Sequence, residues 1–169
     1  MKLSREFFNR NADVVARDLL GKMLVFNNKK GKIVETEAYF DENDPASRAC
    51  QNGDLRNTMN MDAGTILVYG VHNNWLINIV TGEKNKAEAV LIRAIEPLNF
   101  DEDTKGPGLL TKALGIGKEL HKSSVGKEFL LEDHGIKDFE INSSYRVGVK
   151  KDLRQKLRFY IKGNMFVSK

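Results

Sequence analysis

The spacing of apolar and polar residues changes several times along the chain, and each change marks an element. Over residues 4–21, Val14, Val15, Leu19 and Leu20 recur at helical spacing beside Arg17 and Asp18, and Gly21 stands where a helix stops. This predicts a helix over 4–21. Residues 22–26 read as a short strand, and Asn27-Asn28-Lys29-Lys30-Gly31 as a hairpin-like turn. Ile33-Val34-Glu35-Thr36-Glu37-Ala38-Tyr39 reads as a strand whose alternation puts Ile33, Glu35, Glu37 and Tyr39 on one face. From Asp41 to Asp62 the periodicity disappears into loop residues, and a loop of about 20 residues is long enough to suggest function.

Further strands follow at 64–69, 75–80 and 89–95, the first two joined by a hairpin tip, Gly70-Val71-His72-Asn73-Asn74. Gly106-Pro107-Gly108 opens a short helix over 109–114, which Gly115 closes. Residues 129–131, 145–149 and 157–161 complete the strands. The expectation is an α+β fold over residues 1–169: one domain with a mixed, largely antiparallel sheet and short flanking helices.

Composition narrows this picture. At 41% hydrophobic and 30% charged residues, the chain has the make-up of an ordinary globular protein. No apolar run reaches the ~18 residues of a membrane span, and the first six residues have no apolar signal core, so a cytoplasmic monomer is expected. Cys50 is the single cysteine, which excludes an intramolecular disulfide and a cysteine-based zinc site; His72, His121 and His134 lack metal-ligand spacing. No cofactor or metal is expected. Net charge is only +4, but residues 145–169 hold Arg146, Lys150, Lys151, Arg154, Lys156, Arg158, Lys162 and Lys169 against Asp152 alone. That segment is +7 and leaves the rest at −3, a distribution that suits either a polyanion partner or a solvated lysine-rich surface.

The strand at 33–39 carries the candidate chemistry. Two carboxylates and a tyrosine on one face fit a solvated face, or a catalytic carboxylate beside an aromatic platform. Glu35, Glu37 and Asp41 also offer the clustered carboxylates of a metal-dependent nuclease.

In chain order stand Phe7-Phe8, Ala16-Arg17-Asp18-Leu19-Leu20-Gly21-Lys22, Ile33 to Tyr39, Asp44-Pro45-Ala46-Ser47 and Val90-Leu91-Ile92-Arg93-Ala94. Gly106-Pro107-Gly108, Ala113-Leu114-Gly115-Ile116, Arg146-Val147-Gly148 and Leu157 to Gly163 follow. Taken together, this series resembles the alkyladenine (3-methyladenine) DNA glycosylases of base-excision repair. The resemblance implies cofactor-free hydrolysis of the N-glycosidic bond of damaged purines in double-stranded DNA, on a nucleotide flipped from the duplex. It implies Glu37 as the base that activates water, with Arg93 and the carbonyl of Val147 helping to hold that water. It places Tyr39 and Tyr69 around the flipped base, with Asn78 excluding undamaged guanine. It places His72, with Val71 beside it, as the hairpin wedge that enters the minor groove. Nucleoid association follows if the source is prokaryotic. A non-catalytic module that binds damaged DNA is the alternative.

Four features depart from the family's pattern. Arg48 stands where a pocket histidine is common; it either lines the pocket, disfavouring cationic bases, or points to a phosphate. Asp101, Glu102 and Asp103 lie where many members are basic, Leu109 replaces a lysine, and residues 152–156 replace a tryptophan-containing stretch.

Overall fold

The computed structural model describes residues 1–168. The elements in chain order are α1 (Arg5–Phe8), α2 (Ala12–Leu19), β1 (Met23–Phe26), β2 (Lys29–Tyr39), α3 (Asp54–Met59), β3 (Ile66–Val71), β4 (Asn74–Thr81), β5 (Glu88–Pro97), α4 (Pro107–Leu114), β6 (Leu130–Glu132), β7 (Ile141–Ser144) and β8 (Arg158–Ile161). Among the described residues they form one eight-stranded sheet in which every pairing is antiparallel, so the fold is α+β.

The sheet runs β3-β4-β5-β2-β1-β6, with β8 also on β2 and β7 on β8. β2 is its pivot. Along one side it pairs with β5 from Gly31 to Tyr39. Along the other it pairs with β1 over Lys29–Lys32 and then with β8 over Glu35–Glu37. The segment holding both glutamates is therefore flanked by strands on both sides and cannot lie at an edge.

Two hairpins rest on the same turn chemistry. Asn27 and Asn28 take φ of 51° and 61°, and His72 and Asn73 take 50° and 64°. Two consecutive left-handed residues match the twist of the flanking strands, and asparagine tolerates that conformation best after glycine. The first tip is tied down, because Asn27 Nδ2 and Lys29 Nζ donate to the carbonyls of Leu114 and Ala113 at the end of α4. The second tip is exposed at His72 and Asn73, and α4 braces only its base. There Thr111 Oγ1 donates to the Trp75 carbonyl at 2.7 Å, and a Cβ on Gly108 would come within 2.7 Å of Asn74. Glycine is required at that crossing.

The core lies between α2 and the sheet: Val15, Ala16 and Leu19 pack with Ile33, Val34, Ala38, Val90, Ile92 and Phe159. Each large aliphatic residue buried here contributes about 1.5–3 kcal/mol. Thr36 Oγ1 donates to the Ala16 carbonyl, and Glu88 accepts the Ala12 amide at the start of α2.

The structure corrects the sequence reading in several places. The helix over 4–21 is two helices, broken at Asn9–Asn11, where Asn11 is extended ahead of α2; asparagine favours such boundaries over helix interiors. The stretch 41–62 is not wholly irregular, since it holds a 3₁₀ turn at Arg48–Cys50 and α3. The last long strand continues through Pro97. Residues 145–149 are not a strand; the strand is 141–144, and the segment after it leaves the sheet to make side-chain contacts described below. Simple alternation also fails on β2. The β2–β5 register shifts between Ile33 and Glu35 and between Glu35 and Thr36, so Val34 and Arg93 each lack a partner across the ladder. Ile33 consequently joins Val34 and Ala38 in the core instead of sharing the glutamates' surroundings. Such irregularities re-aim side chains.

Candidate active site

Glu35 and Glu37 are both 0% exposed, which overturns the solvated-face reading of the strand. Their surroundings differ. Glu35 Oε2 accepts from Arg93 Nε (2.8 Å), Arg158 Nε (2.7 Å) and Ser168 Oγ (2.8 Å), and Oε1 accepts from the Ser168 amide (2.7 Å). A carboxylate offers about four acceptor positions, so Glu35 is saturated. Burial alone would raise its pKa. The hydrogen bond from Arg158, the charge of Arg93 and the two bonds from Ser168 outweigh burial and hold it below the ordinary carboxylate value.

Among the described residues Glu37 accepts only two hydrogen bonds, from Tyr39 Oη to Oε1 (2.8 Å) and from the Val147 amide to Oε2 (2.7 Å). Arg93 Nη1 lies 3.6 Å from Oε1, an ion pair without a hydrogen bond. Acceptor capacity is left for a water. Burial dominates here and pushes the Glu37 pKa up, against the charge of Arg93 and the donors Val147 and Tyr39; the charge of Glu35 adds to the rise. Two carboxylates two residues apart thus have opposite shifts, a pattern typical of functional pairs.

The Val147 amide is placed by a buried ion pair. Arg146 donates to both oxygens of Asp44 (2.7 and 2.8 Å), to Asp152 (2.6 and 3.0 Å) and to the Ala38 carbonyl (2.9 Å). Its guanidinium carbon lies 4.7 Å from the centre of the Tyr39 ring. Asp44 also accepts the Phe40 and Ala46 amides, which pins the start of the long 41–62 stretch. Burial opposes ionisation of Asp44, but Arg146 and those amides hold its pKa below the ordinary range. The residue after Arg146 is thereby drawn onto Glu37, and this is why 145–149 cannot continue a strand.

Above Glu37 a groove of about 680 Å³ opens between the β3–β4 hairpin, the start of α4 and the 147–151 segment. Tyr39, Tyr69, Arg93 and Val147 line it, and Lys150 and Lys151 stand at its rim. Between the two tyrosines, Asn78 and Arg48 enclose a gap of only about 10 Å³, because the Arg48 guanidinium lies 4.8 Å over the Tyr69 ring. A fully buried carboxylate with acceptor capacity to spare, a tyrosine hydrogen-bonded to it and a cationic rim nearby together suit an electron-deficient reaction centre on a polyanion.

The family model for methylpurine-DNA glycosylase (MPG) matches residues 6–165. The chain belongs to the methylpurine-DNA glycosylase family. It is 42% identical to a protein of Aeropyrum pernix over 99% of this chain and 93% of that one. It is 38% identical to a protein of Legionella pneumophila (strain Lens), over 99% and 98% of the two chains, and 38% identical to one of Clostridium perfringens (strain 13 / Type A) over the full length of both. All three are named "Putative 3-methyladenine DNA glycosylase".

For a methylpurine-DNA glycosylase, the structure brings most of the sequence candidates to one place. Glu37, Tyr39, Arg93 and Val147 converge, and Tyr69, Asn78 and Arg48 meet beside them. Val147 touches Glu37 through its amide. Arg48 stacks on Tyr69, so the pocket-lining alternative fits better than the phosphate-facing one. Val71 and His72 lie on the exposed tip at the groove's edge. Glu35, Glu37 and Asp41 make no metal cage: among the described residues no three metal-ligating side chains converge, and two arginines already occupy Glu35.

The basic C-terminal segment needs correction. Arg146 is spent inside the protein on Asp44 and Asp152, Arg158 on Glu35, and Lys162 pairs with Glu140. Lys169 lies outside the described residues. Lys150, Lys151, Arg154 and Lys156 form the exposed remainder. Asp44, Arg146, Arg158 and Ser168 were not singled out as site residues by sequence reasoning. The only sequence signal was that Asp44, Arg146 and Arg158 each sit in a family motif.

Proposed function

We propose that this chain is a monofunctional DNA glycosylase that hydrolyses the N-glycosidic bond of damaged purines and leaves an abasic site. The observation that carries the reading is the contrast on β2: of two fully buried glutamates, only Glu37 has acceptor capacity left among the described residues, and its partners Tyr39, Arg93 and Val147 line the groove. A water held between Glu37, Arg93 and the 147 backbone passes its proton to Glu37 as its oxygen bonds to C1′ of the sugar. The C1′–N9 bond breaks, and its electron pair leaves with the base. The positive charge that develops on the sugar is stabilised by the Glu37 carboxylate until it takes the proton.

The flipped purine enters between Tyr39 and Tyr69, where stacking contributes about 1–3 kcal/mol per base. Asn78 then crowds a guanine 2-amino group. The gap is too small as it stands, so Arg48 must move off Tyr69 or stack on the base itself. Either way a fixed positive charge borders the pocket, which favours neutral purines such as hypoxanthine or 1,N6-ethenoadenine over cationic alkylpurines. His72, supported by Val71, fills the space that the flipped nucleotide leaves in duplex DNA, and Lys150 and Lys151 meet phosphates. The protein acts as a monomer on one lesion at a time.

Single-turnover release of free base from lesion duplexes tests the reading, with Glu37→Gln as its control. Release by the wild type that is lost in the variant is the expected result. Release at equal rates would remove Glu37 as the base. Tight lesion binding with no excised base from the wild type would establish the alternative, a damage-binding module, which the closed gap beneath Arg48 favours.

A further inference from the structure

The proposal above uses one carboxylate and leaves the other buried beside it without a task. Burying an ionised carboxylate is costly unless it is fully paired, and Glu35 is paired by groups from three distant parts of the chain: Arg93 on β5, Arg158 on β8 and Ser168 beyond it. A hydrophobic residue would serve a purely structural core better. What Glu35 does geometrically is hold Arg93 by its Nε edge. That grip leaves Nη1 at 3.6 Å from Glu37, near enough to attract and too far for a hydrogen bond. Arg93 is the residue left without a partner by the register shift in β5, so its backbone alone does not fix where the guanidinium points.

We infer that Glu35, clamped by Arg158 and Ser168, is a positioning residue that keeps Arg93 from closing onto Glu37 and so keeps Glu37 available as a base. Without this restraint Arg93 would swing into a two-pronged pair with Glu37, as guanidinium–carboxylate pairs prefer. The paired Glu37 would be a weaker base, and its spare acceptor position would be filled. The arrangement is a three-member relay of alternating charge, Arg158–Glu35–Arg93, ending on the reactive group. This rests on the assignment of Glu37 as the base.

The groups facing Glu37 set the direction of every expected change. They are Arg93 from β5, Glu35 and Tyr39 from β2, Arg158 from β8 opposite Glu37 in register, and the Val147 amide from the loop that Arg146 anchors. Removing the negative charge of Glu35 removes a repulsion and frees Arg93, and both effects favour ionised Glu37. Removing Arg158 takes away a cation and lets Glu35 draw Arg93 further off, and both effects disfavour it.

The test is the pH dependence of single-turnover base release from a hypoxanthine duplex by wild type, Glu37→Gln, Glu35→Gln and Arg158→Gln. Glu35→Gln is isosteric. It is expected to bind the lesion duplex as wild type does, to release base on the order of 10²-fold more slowly, the scale of a misplaced catalytic group, and to move the acid limb of the profile to lower pH. Arg158→Gln is expected to move that limb to higher pH. A role in stability alone would lower the yield of active protein and leave the limb in place. Limbs that do not move, or that move in the same direction in both variants, overturn the inference. If Glu35→Gln does not fold, Arg158→Gln decides alone: an upward shift supports the relay, and an unmoved or downward limb rejects it. The parent reading fails separately, if Glu37→Gln releases base at the wild-type rate.

Discussion

Glu35 and Glu37 sit two residues apart on the same strand, equally hidden from solvent, yet they occupy opposite kinds of site. Around Glu35 the protein supplies four donors and two full cations; around Glu37 it supplies two donors and the far edge of a cation that is engaged elsewhere. A buried carboxylate with all its acceptor positions filled is a structural anchor with a depressed pKa. One with positions open keeps a raised pKa and can take a proton from water. The difference teaches that burial does not assign function here. The count and origin of the donors does.

The largest effect should come from Glu37→Gln. Base release is expected to fall by about 10²–10⁴, with lesion binding retained, because a general base is removed and its shape kept. The same change should not destabilise the fold at neutral pH. The folded pKa of Glu37 is raised, so wild-type stability declines as pH rises from the ordinary carboxylate value through the folded one, and the neutral glutamine escapes that decline. Thermal unfolding of the two proteins at neutral pH checks this.

Glu35→Ala inverts the pattern. It strands Arg93 and Arg158 in the interior, and breaking a buried ion pair on one side costs about 3–5 kcal/mol, measurable by denaturant unfolding. Because the folded pKa of Glu35 is depressed, its stabilisation is present above the ordinary value and is lost as pH falls through the folded value. The gap in stability between wild type and Glu35→Ala should therefore narrow in acid.

Tyr39→Phe sharpens the comparison by taking one of the two donors from Glu37. Losing a hydrogen bond to a charged group costs about 1.5–3 kcal/mol. The acid limb of base release should move to higher pH, since the tyrosine hydroxyl favours the ionised carboxylate. The smallest effect should come from Arg48→His, away from both carboxylates. Release of cationic alkylpurines should rise relative to hypoxanthine, read as a ratio of single-turnover rates; an unchanged ratio would mean that the guanidinium on Tyr69 does not act on the bound base.

Much of this architecture is legible in the chain. The asparagine pair at 27–28 and the His72-Asn73 pair signal tight hairpins, because few residues adopt positive φ. Gly115, with φ of 71°, closes α4 for the same local reason. Two of the arginines are not legible. Arg146 and Arg158 count towards a basic surface when the segment is read alone, and both are interior residues whose partners lie 102 and 123 positions away. The strand assigned to 145–149 failed for that reason: its residues are β-formers locally, but Arg146 is held by Asp44 and Asp152 and the Val147 amide by Glu37.

By itself the sequence determined that two carboxylates and a tyrosine would share a strand within an antiparallel α+β sheet, because turn geometry and hydrophobic alternation are set by neighbours a few positions apart. Only the tertiary structure decided which glutamate would be consumed and which left free. Arg93 on β5 reaches both, and donors 58 to 133 positions from Glu35 fill it and leave Glu37 with open acceptor positions. Charge pairing in a low-dielectric interior depends on which groups the fold brings within about 3 Å, and no local pattern on β2 records that.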